Sequence, residues 1–302
     1  MHNSRFLPAM PCSRLKEQEI RSDKLKGGKI ISLAVVLLSL AACTSISVDA
    51  RRDVAFGVAA KAGFQAFNVS TDTFRLAGFY RVGNPQKPIS IYIEGDGFAW
   101  IDRYTISSNP TPRNPLALKL AGLDQDSNVV YFARPCQFVD LSLERYCNKK
   151  YWTSHRFSKE VLSSYNQALD QIKEKFNAKG FHLVGFSGGA AIAALLAAER
   201  SDVLSLRTIA GNLDHVALNR AREVSPLRGS LNPISVASKL KAIPQIHYSG
   251  GKDKVIPGWV AESFVRAVGR GPCVSTRTIS RASHLDGWLP VWKTISRKIP
   301  KC

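Results

Sequence analysis

The segment His182-Leu183-Val184-Gly185-Phe186-Ser187-Gly188-Gly189-Ala190-Ala191 decides the fold. Residues Phe181–Gly185 read as a strand, and the alanine-rich stretch Gly188–Glu199 reads as a helix. Between them, Gly185-x-Ser187-x-Gly189 fits the tight strand-to-helix turn that exposes a serine on strained backbone. Such a turn has no room for side chains two positions either side of the serine, and the two glycines meet that demand. The helix N-terminus beneath Ser187 favours a developing negative charge. The glycines do not follow G-x-G-x-x-G, which argues against a dinucleotide turn.

The same alternation runs outward in both directions. Phe64–Val69 and Thr73–Val82 read as a hairpin, and Ile89–Glu94 as a strand entering Gly95-Asp96-Gly97. Asn114–Leu123 reads as a short helix and Asn128–Ala133 as a buried strand. Val161, Leu162, Tyr165, Leu169, Ile172 and Phe176 recur at spacings of three or four, predicting a helix over Ser158–Lys179. Ser158 is its expected N-cap and Gly180 its stop. Leu204–Ile209, Gln245–Tyr248 and Val274–Ile279 read as further strands, and Pro257–Val268 and Asp286–Lys298 as helices. A hairpin followed by strand–helix alternation predicts an α/β fold with a mainly parallel sheet covered on both faces. Residues 212–240 form a polar, proline-containing insert, read as a small lid.

A serine hydroxyl needs a base, and the base an orienting acid. His182 and His247 lie within expected strands, and His155 and His215 in excursions between elements. His284 follows the last strand, in Ala282-Ser283-His284-Leu285-Asp286-Gly287. Loops after the C-terminal ends of parallel strands are where an open α/β sheet places its site. Asp253, in Gly250-Gly251-Lys252-Asp253, also follows a strand, and Asp214 after Leu204–Ile209 is the alternative acid. Gln137, after Asn128–Ala133, is expected to line the same pocket, with Tyr151 and Trp152 as packing residues.

The order Ser187, Asp253, His284 and the three motif blocks resemble the α/β-hydrolase superfamily, most closely exported bacterial members. The resemblance implies a nucleophile at Ser187, a base at His284 and an orienting acid at Asp253. It also implies an oxyanion hole with one donor at the Gly188 N–H and the other in the loop after Ile89–Glu94. This chain has Glu94-Gly95-Asp96-Gly97 where the family usually has His-Gly, so Asp96 or Gly97 would donate. Asp96 is read as a turn residue, with selection of a cationic substrate group as its alternative role.

The N-terminus carries a different message. Ile30–Ala42 is a 13-residue apolar run preceded by Arg21, Lys24, Lys26 and Lys29. It is shorter than the ~20 residues of a bilayer-spanning helix and has the layout of a secretory signal with a long charged leader. Leu40-Ala41-Ala42-Cys43 resembles the lipobox of bacterial lipoproteins, implying acylation of Cys43. The expected organisation is therefore a signal over 1–42, a linker over 43–62 and the hydrolase-like domain over 63–302. The expected location is the cell envelope, and Thr44 in place of Asp favours the outer membrane.

Export implies an oxidising compartment. Cys136, Cys147, Cys273 and Cys302 allow three pairings, of which the sequence-local one, Cys136–Cys147 and Cys273–Cys302, is preferred. The chain has 302 residues, 45% hydrophobic and 22% charged, which excludes a disordered chain or a multi-span membrane protein. The net charge is +19. No run of five Lys/Arg and no nucleic-acid motif accompanies it, so no nucleic-acid partner is expected. No metal-ligand spacing appears, and no metal or organic cofactor is expected. The functional expectation is a lipid-anchored serine hydrolase acting on a small-molecule or lipid ester. Its rival is a non-enzymatic envelope binding or structural lipoprotein on a hydrolase scaffold.

Overall fold

The computed structural model describes residues 47–269 and 271–302; the apolar run and Cys43 lie outside them. The expected linker is corrected where it is described. Val48–Lys61 is a helix, α1, and the Ser47 hydroxyl accepts the Ala50 N–H at its start. Its buried face is Arg51, Ala55 and Ala59, with the Arg51 guanidinium donating to Thr111 O. Alanines and one arginine give almost no hydrophobic periodicity, so the stripe is silent in the sequence.

Strands β1 (Gln65–Ser70), β2 (Arg75–Val82), β3 (Ile89–Ile93), β4 (Asn128–Phe132), β5 (Phe181–Phe186), β6 (Val203–Ile209), β7 (Gln245–Gly250) and β8 (Val274–Ile279) form one sheet. Their spatial order is β1-β2-β4-β3-β5-β6-β7-β8. The first hairpin and the β2–β4 pair are antiparallel, and all other pairs are parallel. The register pairs Ile93 with Gly185, Phe186 with Ile209 and Ile209 with Tyr248. The C-terminal ends of the central strands are therefore level, and their loops leave from one edge.

Helices α2 (Leu116–Leu123) and α7 (Trp288–Ile295) cover one face together with α1. Leu120, Trp288 and Trp292 are fully buried there. Helices α3 (Lys159–Phe176), α4 (Gly188–Glu199) and α6 (Gly258–Val268) cover the other, through Val161, Leu169, Ile192 and Phe264. Core burial of this kind is the main favourable term in folding. The α3 ends differ from expectation. Ser158 is at the N-cap but its side chain makes no capping bond, and Asn177, at φ +47°, ends the helix before Gly180. Asparagine tolerates the left-handed conformation, so the stop came from a polar residue rather than the glycine.

The insert over 212–240 contains α5 (His215–Ala221) and a 3-10 helix, Pro233–Leu240. Both expected disulfides are present, Cys136–Cys147 and Cys273–Cys302. The first pins the loop after β4, and the second ties the chain end to the start of β8.

Candidate active site

Ser187 sits between the last residue of β5 and the first of α4, at φ +51° and ψ −116°. A non-glycine residue there stores on the order of 1–3 kcal/mol of strain. The neighbours hold it in place. Ser187 N–H donates to Ile209 O at 2.9 Å, and Ser187 O accepts from Asn212 N at 3.1 Å. A Cβ on Gly185 would lie 2.4 Å from Ala190 Cα, and one on Gly189 2.2 Å from Ile93 O. Both glycines are therefore required by close backbone approach, as the motif implied. Cys136, Phe138 and Ala210 also have positive φ, each within a few residues of the end of β4 or β6.

His284 reaches this serine from the loop after β8. Its Nε2 lies 3.0 Å from Ser187 Oγ, and its Nδ1 2.9 Å from Asp253 Oδ2. The Phe186 ring lies 5.2 Å from the imidazole, and His284 O accepts the Trp288 indole N–H at 3.2 Å. The other Asp253 oxygen, Oδ1, accepts Val255 N–H at 2.7 Å and Ile256 N–H at 2.9 Å. Burial pushes the Asp253 carboxyl up, but His284 and these two N–H groups outweigh it and hold the group below its ordinary value.

Asp214 is elsewhere. Its Oδ1 caps α5 by accepting Ala217 N–H and also accepts the Asn232 amide at 2.8 Å. The other imidazoles among the described residues are likewise engaged: His182 with Ser205, His247 with Thr208 and Gln245, His155 with Ser154, and His215 with Leu231 O. Burial drives the His247 pKa down to about 3.

A cavity of about 870 Å³ opens over Ser187, walled on one side by Asp96, Trp100 and Arg156 and on the other by Asn212, Leu227 and Ile256. The lid-like insert supplies much of the second wall. Of the two loop residues after β3, Asp96 lines this cavity. Gly97 packs away from it, where a Cβ would meet Pro110 O at 2.1 Å. Gly188 is the first residue of α4, so its N–H has no intrahelical acceptor. Gln137 does not line the cavity. It is buried, donates to Gly95 O at 3.1 Å and accepts Arg134 N–H at 3.1 Å, and so braces the loop from behind. Tyr151 and Trp152 are buried in the core.

Sequence reasoning missed the arginines. Arg134 Nη1 lies 3.0 Å from Asp96 Oδ1, and Arg156 Nη1 2.5 Å from Asp96 Oδ2. Burial pushes the Asp96 carboxyl up, but Arg156 and Arg134 outweigh it and hold the group below its ordinary value. Asp96 is thus more than a turn residue, and its charge is already committed to two cations. An arginine directly after a buried strand, in Arg134-Pro135-Cys136, was the available signal. Beneath the loop, the Glu94 carboxyl accepts Gly95 N–H and Ala117 N–H at 3.0 and 3.2 Å and the Tyr131 hydroxyl at 3.1 Å. Burial raises its pKa to about 7.

A mainly parallel sheet with helices on both faces and a strained serine turn between β5 and α4 defines an α/β-hydrolase fold. Residues 124–276 match the family model described as "Serine hydrolase (FSH1)", and the chain belongs to that family. It is a serine hydrolase of the α/β type. Solved structures agree on the fold. An esterase of Pyrococcus furiosus, Pf2001, superposes with a TM-score of 0.53 at 13% identity, over 79% of this chain and 93% of that one. Est1E from Butyrivibrio proteoclasticus gives 0.53 at 16% identity, over 77% and 96%. An alpha-beta serine hydrolase homologue from Coxiella burnetii gives 0.52 at 18% identity, over 77% and 94%. No curated protein matches the chain.

Proposed function

We propose that this protein is a lipid-anchored serine hydrolase that cleaves a carboxylic ester through an acyl-enzyme on Ser187. The observation that carries the proposal is the unbroken hydrogen-bond sequence Ser187 Oγ, His284, Asp253, at 3.0 and 2.9 Å. Ser187 Oγ attacks the carbonyl carbon while His284 Nε2 takes its proton. Asp253 fixes the tautomer that leaves Nε2 free and stabilises the imidazolium. The tetrahedral oxyanion is received by the Gly188 N–H and by the backbone N–H of Asp96. Its collapse breaks the ester bond, and His284 returns the proton to the departing alcohol. Water, activated by the same imidazole, then attacks the acyl-enzyme and releases the acid.

Basic residues, a short apolar run and Leu40-Ala41-Ala42-Cys43 favour acylation of Cys43 and residence in the cell envelope. A fluorophosphonate probe should label wild type and not Ser187→Ala, and the same variant should lose turnover of 4-nitrophenyl esters. An unlabelled wild type that turns over no ester would refute the enzymatic reading. For the anchor, fatty-acid labelling should vanish in Cys43→Ala, and undiminished label there would refute it.

A further inference from the structure

We infer that the acyl part of the substrate carries an anionic group, a carboxylate, and that Arg156 binds it; the inference presupposes ester hydrolysis at Ser187. It follows from how charge is distributed across the cavity. Arg134, Asp96 and Arg156 form a cluster of two cations and one anion beside the serine turn, with side chains only 5%, 18% and 15% exposed. A Cβ on Gly188 would meet Asp96 Oδ1 at 2.0 Å and Arg134 Nη1 at 2.9 Å, so the cluster lies directly against the turn.

The two arginines are not equivalent. Arg134 is enclosed: one terminal nitrogen binds Asp96, the other donates to Arg156 O, and its Nε is buried without a partner among the described residues. Arg156 lines the cavity. It uses Nε on Thr153 O, at 2.8 Å, and Nη1 on Asp96, while Nη2 has no partner among the described residues. A guanidinium with spare donors in a half-enclosed site is suited to a carboxylate. The carboxylate already there is satisfied, and the cluster retains one net positive charge. That charge sign disfavours the cationic substrate group considered for Asp96.

Topology decides which part of the substrate meets Arg156. Asp96 and Arg134 follow β3 and β4, on one side of β5, whereas Asp253 and His284 follow β7 and β8 on the other. The leaving alcohol must lie within reach of His284 Nε2 to receive its proton. The acyl part therefore extends toward the β3 and β4 loops. The wall contributed after β6 and β7 carries an apolar patch, Leu218, Leu227, Val255 and Ile256, beside the polar Asn212, Asn219, Arg222 and Glu223, and that patch suits the alcohol. Two other acids line the cavity. Asp102 accepts the N–H groups of Tyr104 and Thr105, and the charges of Asp102 and Glu223 are matched in number by Arg103 and Arg222, which line the same cavity.

The test compares the 4-nitrophenyl half-ester of adipic acid with 4-nitrophenyl hexanoate, of equal chain length but uncharged, after subtraction of enzyme-free rates. A hydrogen bond to a charged group is worth about a factor of ten or more, so wild-type kcat/KM should favour the half-ester by about tenfold. In Arg156→Gln the ratio should fall to about one or below, and Arg156→Lys should restore part of it. Hydrolysis of both esters with a wild-type ratio at or below one overturns the inference and leaves ester hydrolysis standing. So does an unchanged ratio in Arg156→Gln. Turnover of neither ester, with no fluorophosphonate label on Ser187, overturns the inference together with the ester reading beneath it. The wild-type comparison needs no variant to fold.

Discussion

Replacing Asp253 by asparagine changes a single atom and should nearly abolish turnover. Asp253 Oδ1 is fixed by two backbone N–H donors at 2.7 and 2.9 Å, and Oδ2 faces His284 Nδ1 at 2.9 Å. An asparagine must keep its one carbonyl oxygen on the two N–H groups, because an amide nitrogen there would oppose two donors. Its NH₂ therefore faces Nδ1. Two donors cannot face each other, so His284 gives up the Nδ1 proton and carries one on Nε2 instead. That proton then points at Ser187 Oγ, and no base remains. The expected loss is about 10⁴ in kcat, or about 5.5 kcal/mol of barrier. Asp214→Asn is the control: asparagine caps a helix as well as aspartate, so kcat should stay within about threefold of wild type. Ester turnover by both variants, with circular dichroism to verify folding, makes the comparison. More than about a tenth of wild-type kcat in Asp253→Asn would refute the tautomer argument. A crippled Asp214→Asn beside a nearly unaffected Asp253→Asn would move the acid to the other residue.

Two further outcomes concern stability. Glu94 goes from 4.5 to about 7 on folding, so its contribution is complete below pH 4.5 and is lost as pH rises to about 7. The loss amounts to about 3 kcal/mol, and urea unfolding should show the gap between wild type and Glu94→Gln narrowing over that range; a gap independent of pH would contradict it. The two disulfides enclose separations of 29 and 11 residues. Loop entropy then makes the Cys273→Ala/Cys302→Ala pair cost about 3.6 kcal/mol and the Cys136→Ala/Cys147→Ala pair about 2.8 kcal/mol in urea unfolding, and a reversed order would count against that account.

The parts of the site that were legible in the sequence are those set by neighbours in the chain. Gly185 and Gly189 announce the serine turn because the constraint they answer lies within two residues of Ser187. Asp253 and His284 were legible because each directly follows a strand, and the strand order puts those loops on one edge. The Asp96 cluster was not legible: its members are 38 and 60 residues apart, and only the fold brings the loops after β3 and β4 together. Gln137 was placed at the right edge but on the wrong side of the loop, because periodicity does not say which way a side chain turns after a strand ends. Helix α1 was missed for a different reason. Its buried stripe is alanine and arginine, and patterning by hydrophobicity has nothing to register there.

The left-handed residues at the ends of the strands bear on how this protein can change. Cys136, Phe138, Ser187 and Ala210 all lie on the rim that carries the site. At about 1–3 kcal/mol each, they make that rim the least relaxed part of the backbone. Selection for heat tolerance alone would find glycine at 210 a gain, since Ala210 gives up only a methyl group for the relaxed backbone, whereas Phe138 is a buried core side chain whose loss would cost more than the strain it relieves. The same change would free the chain beside Asn212, whose N–H holds the serine turn in place. Thermal endurance and turnover therefore compete on this rim, and a lineage adapting to heat would do better to add stability on the opposite end of the sheet.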